Sequence, residues 1–343
     1  MYKVVVLGLH HDHVWSHLQD VRRSQSAELV GVADPDLPLL NKARERFSCP
    51  TYADYDELLE TVEADIAYIF TDNRFGAYLA VSAAKRGLHV MIEKPMGADL
   101  DGATEAHRVA HAKGVQLMVN WPIAWVPAIQ QAITMATEGE IGRVWQVKYR
   151  AAHAGPQELG CSEHFCKWLF DERLNGGGAL VDYACYGCAL ARTLLGMPRA
   201  VQAISGNFVK ETLPVEDNAI VMLDYPKASA LAEASWSQQG NLTSYVVSIY
   251  GDKGTLIADA NGESTLHLAT QEEPEGQQLE LRPVATTMRH ATSHFTSCLT
   301  EGTPLFSLVT AEVGLDTQAI LSAAKQAAKQ TGTPVAEVFQ SFR

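Results

Sequence analysis

Short apolar runs at Lys3–Leu7, Leu29–Ala33, Ile66–Phe70, His89–Ile92 and Gln116–Val119 read as buried strands. Stretches with helical spacing separate them, at about 14–24, 37–47, 76–86 and 100–113. The last two end at Gly87 and Gly114, where glycine can close a helix. Strands alternating with helices predict a parallel sheet covered on both faces, a doubly wound α/β arrangement. Past Trp121 the texture changes. A helix near 127–138 leads through Gly139-Glu140-Ile141-Gly142 into a long strand, Val144–Ala152. A helix from Ala179 to Leu195 is entered from Gly176-Gly177-Gly178 and stopped by Gly196. Alternating segments at about 200–209, 217–225, 228–237, 244–250 and 254–258 predict one antiparallel sheet, followed by helices at about 288–300 and 310–330. The expected architecture is an α/β dinucleotide-binding (Rossmann) domain over residues 1–121. An α+β domain with a large, mostly antiparallel sheet is expected over residues 122–343.

Composition narrows the partners. The chain has 343 residues, 47% hydrophobic and 20% charged, with a formal net charge of -13. That balance disfavours nucleic acid and anionic membranes and suits a small-molecule substrate. The first apolar run, Val4–Leu9, is too short for a signal-peptide core, and no run of transmembrane length occurs, so a cytoplasmic protein is expected. The six cysteines form no dense framework and fit free thiols in a reducing compartment. Cys161 with Cys166 and Cys185 with Cys188 have spacings open to zinc, but the second pair lies in a helical segment without knuckle glycines, and no metal is assigned.

The first strand is followed by Gly8-Leu9-His10-His11-Asp12-His13, in which only the first glycine of G-x-G-x-x-G is present. An offset loop can still present a helix N-terminus to a pyrophosphate, with His10 or His13 donating a hydrogen bond. The alternative is a metal site from His10, His11, His13 and His17; no acidic or cysteine partner lies at ligand spacing nearby in sequence. Asp34, ending the second strand, is placed to accept ribose hydroxyls and to repel a 2′-phosphate, which favours NAD over NADP; a turn role before Pro35 is the plainer reading.

The fourth strand closes as Glu93-Lys94-Pro95, bringing a lysine to the carboxyl end of a buried strand, where open α/β sheets bind their ligands. This run resembles the E-K-P signature of the Gfo/Idh/MocA oxidoreductases, two-domain NAD(P)-dependent enzymes acting mainly on sugars and cyclitols. The likeness extends over nearly the whole chain. Thr71-Asp72-Asn73 resembles the family's T-P-N beside the nicotinamide ribose, Asn120 follows the fifth strand, and Gly176–Asp182 resembles the glycine-rich entry to the active-site helix. Where the family usually shows D-x-G-x-H, this chain reads Asp182-Tyr183-Ala184-Cys185-Tyr186, similar to the tyrosine-bearing glucose–fructose oxidoreductase and dihydrodiol dehydrogenase branches.

The resemblance implies hydride transfer between nicotinamide and a secondary alcohol or ketone of a sugar, cyclitol or polyol. Tyr186 is expected to move the proton, Lys94 to lower its pKa and bind the substrate oxygen, and Asp182 to orient a neighbouring hydroxyl from the same helix face. Gly8, His10, His13, Asp34, Thr71, Asn73, Glu93, Lys94 and Asn120 are expected to hold the cofactor. Trp121, His153 and Trp168 are expected beside the substrate, with His164 and Lys167 on the same loop. Two other readings use the same scaffold: glycoside cleavage through transient oxidation by retained NAD, and a non-catalytic dinucleotide sensor. The resemblance also implies that residues 122–343 serve substrate binding and oligomerisation, with a homodimer or homotetramer formed through the open sheet face.

Overall fold

The computed structural model describes residues 1–330. Residues 331–343, assigned above to the second domain, lie outside the described residues.

Six parallel strands form the first sheet: β1 (Tyr2–Leu7), β2 (Ala27–Ala33), β3 (Thr51–Tyr52), β4 (Ile66–Ile69), β5 (His89–Glu93) and β6 (Leu117–Asn120). Their order, β3-β2-β1-β4-β5-β6, reverses direction between β1 and β4, which opens a crevice at the carboxyl ends there. Helices α1 (Val14–Arg23), α2 (Leu37–Phe47), α3 (Tyr55–Thr61), α4 (Asn73–Lys85) and α5 (Leu100–Lys113) connect them. Full burial of Val4–Leu7 and Ile66–Ile69 explains why these strands read as continuous apolar runs. The predicted strands are all present. β3 and α3 escaped because two and seven residues carry too little periodicity, although Asp54 caps α3 by accepting from the Glu57 amide. α4 starts three residues earlier than expected because Asp72 caps it through the Phe75 amide.

The second sheet has eight strands in the order β14-β13-β12-β11-β7-β10-β9-β8. β7 (Val144–Ala152) pairs in parallel with β10 (Ala228–Ser235), and the other pairings are antiparallel. The remaining strands are β8 (Ala200–Gly206), β9 (Asn218–Tyr225), β11 (Val246–Gly251), β12 (Thr255–Asp259), β13 (Thr265–Ala269) and β14 (Gln277–Leu279). β13 and β14 were not foreseen, being short and mixed in polarity. The predicted parallel sheet and mostly antiparallel sheet are both found.

Around the second sheet lie α6 (Pro127–Thr137), α7 (Glu163–Leu169), α8 (Glu172–Asn175), α9 (Ala179–Asp182), α10 (Ala184–Leu195), α11 (Ala291–Glu301) and α12 (Ala311–Ala327). The single helix expected from Ala179 to Leu195 is broken at Tyr183 (φ -115, ψ -38). The cause is tertiary: the Asp182 carbonyl accepts from Lys94 Nζ at 2.9 Å, and from Cys185 Sγ at 3.0 Å, instead of continuing the helical ladder. α10 sits directly on β7 and β10, where a Cβ at Gly187 would collide with Ala232. α12 returns to pack between α10 and α5, and Thr310 bridges to Met118 of β6, so the end of the described chain braces both sheets. No helix among the described residues is long and apolar enough to cross a membrane.

Candidate active site

The loop after β1 begins with Gly8 at φ +94, a conformation glycine adopts freely. A side chain there would strike Thr71 Cγ2 and the Phe70 backbone, so the loop can only run this close to β4 without one. α1 starts at Val14 with no side-chain cap; its Val14, Trp15 and Ser16 amides donate to the His11, Asp12 and His13 carbonyls, so the loop winds directly into the helix. Asp34 is fully buried and accepts from the Leu9 amide at 2.6 Å and the Asp36 amide at 2.7 Å, fixing the loop from the second strand. His10 Nε2 lies 3.4 Å from Asp34 Oδ1, a contact that raises the histidine pKa against the opposing effect of burial. The glycine turn and the carboxylate that ends the second strand fit a dinucleotide.

The histidines of this loop meet an acid that lies eighty residues away in sequence. Glu93, at the end of β5 and 3% exposed, places Oε2 at 3.3 Å from His13 Nδ1 and 4.0 Å from His11 Nε2. Its Oε1 accepts from Asn120 Nδ2 at 2.5 Å and stands 3.6 Å from His17 Nε2. Burial opposes ionisation, but the imidazoles of His13 and His11, with the His13 hydrogen bond, hold Glu93 well below the usual carboxylate range. Burial in turn pushes His11 and His17 below the ordinary imidazole value.

One residue further on, Lys94 enters the cleft between the sheets across a cis Lys94–Pro95 peptide. Its ammonium is 2.5 Å from Asp182 Oδ1 and 4.8 Å from the centre of the Tyr186 ring, with both charged side chains buried. Burial favours a neutral amine there; the Asp182 carboxylate outweighs it and raises the Lys94 pKa. A pocket of about 240 Å³ opens over this pair, lined by His13, Lys94, His153, Asp182, Tyr186 and Tyr245 among others. His153 is held neutral, its pKa lowered to about 4 by burial, and its Nδ1 accepts from the Gly155 amide at 2.8 Å. The hydroxyls of Tyr183 and Tyr245 lie 2.9 Å apart.

These placements correct several expectations. Lys94 was expected to depress the Tyr186 pKa; its ammonium is instead neutralised by Asp182 and faces the ring, and burial pushes Tyr186 well above the ordinary phenol. Asp182 and Tyr186 do converge on Lys94, but across the break at Tyr183, so a shared helix face is not the reason. Trp121 is fully buried and packs edge-on to Tyr186 at 6.0 Å between ring centres, supporting the tyrosine from behind. Trp168 is buried too and donates to the His10 carbonyl at 3.3 Å. His164 stacks on His10 at 5.9 Å and pairs with Asp36 at 3.4 Å, over the dinucleotide loop, while Lys167 lies on the exposed side of α7. Asn73, expected beside the nicotinamide ribose, donates to Asn175 Oδ1 at 2.7 Å and ties α4 to α8. Asn120 is spent on Glu93 and on Trp125 Nε1, whose bond to Asn120 Oδ1 measures 2.8 Å. Thr71 stays under Gly8. The cysteines are all free thiols, and none joins a metal-spaced cluster among the described residues.

Sequence reasoning missed the Glu93 partnership, Tyr183, Tyr245 and a strap from the second domain. The strap, ending in α7, covers the first domain's loop: Ser162 donates its amide to Asp12 Oδ2 at 2.7 Å, and His11 packs against Phe165 and Trp168. Tyr245 occupies the left-handed region at φ +51, which no local signal announces for tyrosine.

A reversing parallel sheet, a glycine-turn loop and a buried lysine–aspartate pair in the inter-sheet cleft define a two-domain dinucleotide-dependent oxidoreductase. The chain belongs to the Gfo/Idh/MocA family: residues 2–121 match the oxidoreductase family's NAD-binding Rossmann fold, and residues 129–257 match the GFO/IDH/MocA C-terminal domain. It is similar to D-glucoside 3-dehydrogenase of Escherichia coli, 26% identical over 90% of each chain. Levoglucosan dehydrogenase of Pseudarthrobacter phenanthrenivorans is 22% identical over 71% of this chain and 67% of that protein. Two other relatives, among them D-xylose 1-dehydrogenase (NADP(+)) 2 of Haloferax volcanii, align over about half their length, 53% and 52%. Among solved structures, an oxidoreductase from Agrobacterium radiobacter in complex with NAD+, L-tartaric acid and magnesium superposes with a TM-score of 0.83 at 18% identity, over 98% of this chain and 99% of that one.

The histidine cluster sets an acid limit on stability. His11, His17 and His153 have lowered pKa values in the fold, so below about 6.5 the unfolded chain takes up protons that the fold refuses. Glu93 is lowered as well, and its contribution, present above about 4.3, is lost as pH falls below that value. His10, raised by Asp34, works against them over the first interval but is one group against three, so urea midpoints are expected to fall from about pH 7 to pH 5 and again below about pH 4.5. A midpoint that is flat or rises over the first interval contradicts this burial.

Proposed function

We propose that this protein transfers hydride between a nicotinamide dinucleotide, NAD in preference to NADP, and a secondary alcohol or ketone carbon of an uncharged sugar, cyclitol or polyol. The observation that carries this reading is the buried Lys94–Asp182 pair beneath Tyr186, at the floor of a pocket of about 240 Å³. Such a pocket suits one sugar ring, and its lysine is already paired, which leaves it poorly suited to a phosphorylated or strongly acidic ligand. The names of the sugar-directed relatives support the same class.

Gly8, His10, Asp34, Thr71 and Glu93 are the residues suited to hold the dinucleotide. Bound nicotinamide supplies a hydride acceptor or donor at C4. Asp34, with Asp36 and Asp72 acting on the same histidine, makes the ribose end acidic, which supports NAD because a 2′-phosphate would be repelled. Lys94 donates to the substrate oxygen and stabilises negative charge developing there. Tyr186, kept as a phenol by burial, donates a hydrogen bond to the same oxygen and stabilises the charge that develops on it in either direction. Asp182 keeps the lysine charged and aimed.

The outer face of the second sheet exposes Ile204, Ile220, Met222 and Ile257. We assign it as the contact between copies of this chain in a homodimer or homotetramer. Sedimentation equilibrium is expected to give an oligomer, and a monomer at micromolar concentration contradicts this part.

For the chemistry, a set of neutral aldoses, glycosides and cyclitols is assayed by absorbance at 340 nm with each dinucleotide. At least one sugar is expected to reduce NAD with a higher kcat/KM than NADP. Tyr186→Phe is expected to lower kcat by about 10²-fold or more with little change in KM. Wild-type turnover in Tyr186→Phe contradicts the role of the phenol, and inactivity on every sugar with either dinucleotide contradicts the proposal.

A further inference from the structure

Oxidising an alcohol requires a place for the hydroxyl proton, and the cleft's obvious groups are spoken for. Lys94 is an ammonium locked to Asp182, whose carboxylate it occupies. Tyr186 holds its own proton through burial. The pocket imidazoles divide by lone pair. His153 uses its Nδ1 lone pair on the Gly155 amide at 2.8 Å, so a neutral ring presents Nε2–H to its surroundings. His11 uses its Nδ1 lone pair on the His13 amide at 3.3 Å, leaving Nε2–H toward Glu93. His13 is oriented the other way. Its Nδ1 faces the ionised Glu93 at 3.3 Å and must carry hydrogen, which places the free lone pair on Nε2 of a ring that lines the pocket and is 40% exposed.

We propose that His13 is the proton acceptor of the oxidising direction, held in its Nδ1–H form by Glu93. This rests on the redox reading above and deepens it. The substrate O–H bond breaks as the proton joins His13 Nε2; the C–H electron pair goes to the nicotinamide with its hydrogen, and the carbonyl forms. The imidazolium is stabilised by a buried carboxylate that Asn120 fixes from the other side at 2.5 Å, and it returns the proton to water at its exposed edge. Around His13 stand Glu93 from the end of β5, Lys94 just after it, His11 and Asp12 from its own loop, and His17 from α1. Across the cleft stand Asp182, Tyr183, Tyr186 and Tyr245. Of these, Glu93 is the carboxylate in contact with the ring. In the reducing direction the same path is retraced: the His13 imidazolium returns the proton to the oxygen, while Tyr186, kept as a phenol by burial, holds that oxygen by a hydrogen bond.

The same spacing raises a metal reading, since ligand atoms of His11, His13 and Glu93 all lie within 4.8 Å of one another. The tautomers oppose it. With its Nδ1 lone pair used by a backbone amide, His11 directs a hydrogen and not a lone pair at the common point.

The test begins without substrate. Long-range 1H–15N imidazole spectra of the cofactor-free protein at about pH 8 are expected to show His13 in the Nδ1–H tautomer, reverting toward Nε2–H in Glu93→Gln. With the sugar that reduces NAD in the screen above, His13→Gln is expected to lower kcat at pH 7 by about 10²-fold and to lose the acid limb of the pH–rate profile. In Glu93→Gln that limb is expected to move to lower pH. An Nε2–H His13 in the wild type, an unchanged pH profile in His13→Gln, or stoichiometric zinc in the purified protein overturns the proposal. NADH fluorescence titration separates the two claims: absence of NADH binding by the wild type refutes the redox reading, whereas the tautomer decides the Glu93–His13 pair.

Discussion

The contact on which the rest of this structure depends is the buried ion pair between Lys94 and Asp182. It joins the end of a strand in the first sheet to a helix packed on the second, with the charged side chains 3% and 7% exposed. Removing either partner would strand a charge in a dry cleft, a loss of about 3–5 kcal/mol for buried pairs. The same ammonium takes the Asp182 carbonyl, and that diversion breaks the helix at Tyr183. The break turns Tyr183 and Tyr186 into position over the lysine, at 5.6 Å and 4.8 Å from ring centres to Nζ. One pair therefore closes the cleft, shapes its wall and fixes its electrostatics.

A second buried charge, Glu93, organises the neighbouring loop. It has no ammonium or guanidinium within salt-bridge distance among the described residues and relies on imidazoles and an amide. This arrangement explains a sequence oddity. Histidines stand where a dinucleotide loop usually carries glycines because they have a carboxylate to orient against. The strap that seats Trp168 and Ser162 on the loop closes it from above, so both domains contribute to the cofactor face.

Much of the fold was legible in the residues. β4, and β1 from Val4 onward, are apolar throughout because both faces are covered, and β9 alternates Ala219, Val221, Leu223 inward with Ile220, Met222, Asp224 outward. What stayed hidden was short, like β3, or tertiary in cause, like the break at Tyr183. The site divided along the same line. Lys94, Asp182 and Tyr186 were found from their motif and do converge. Trp121, Trp168 and Asn73 were assigned to ligands by type and position, and burial gave them to packing and to inter-domain hydrogen bonds. The partnership of His13 with Glu93 spans the chain from the loop after β1 to the end of β5, and no local spacing encodes it.

The central claim is that the Lys94 ammonium serves hydride transfer as well as holding the domains together. Lys94→Met keeps the length of the side chain and removes the charge, so it is measured with Asp182→Asn in the same protein to avoid stranding the carboxylate. NADH formation at 340 nm is the readout, with NADH binding followed by fluorescence. The account predicts a folded protein that still binds NADH and has lost at least about 10²-fold in kcat. Turnover within a few-fold of wild type in that double variant would contradict it.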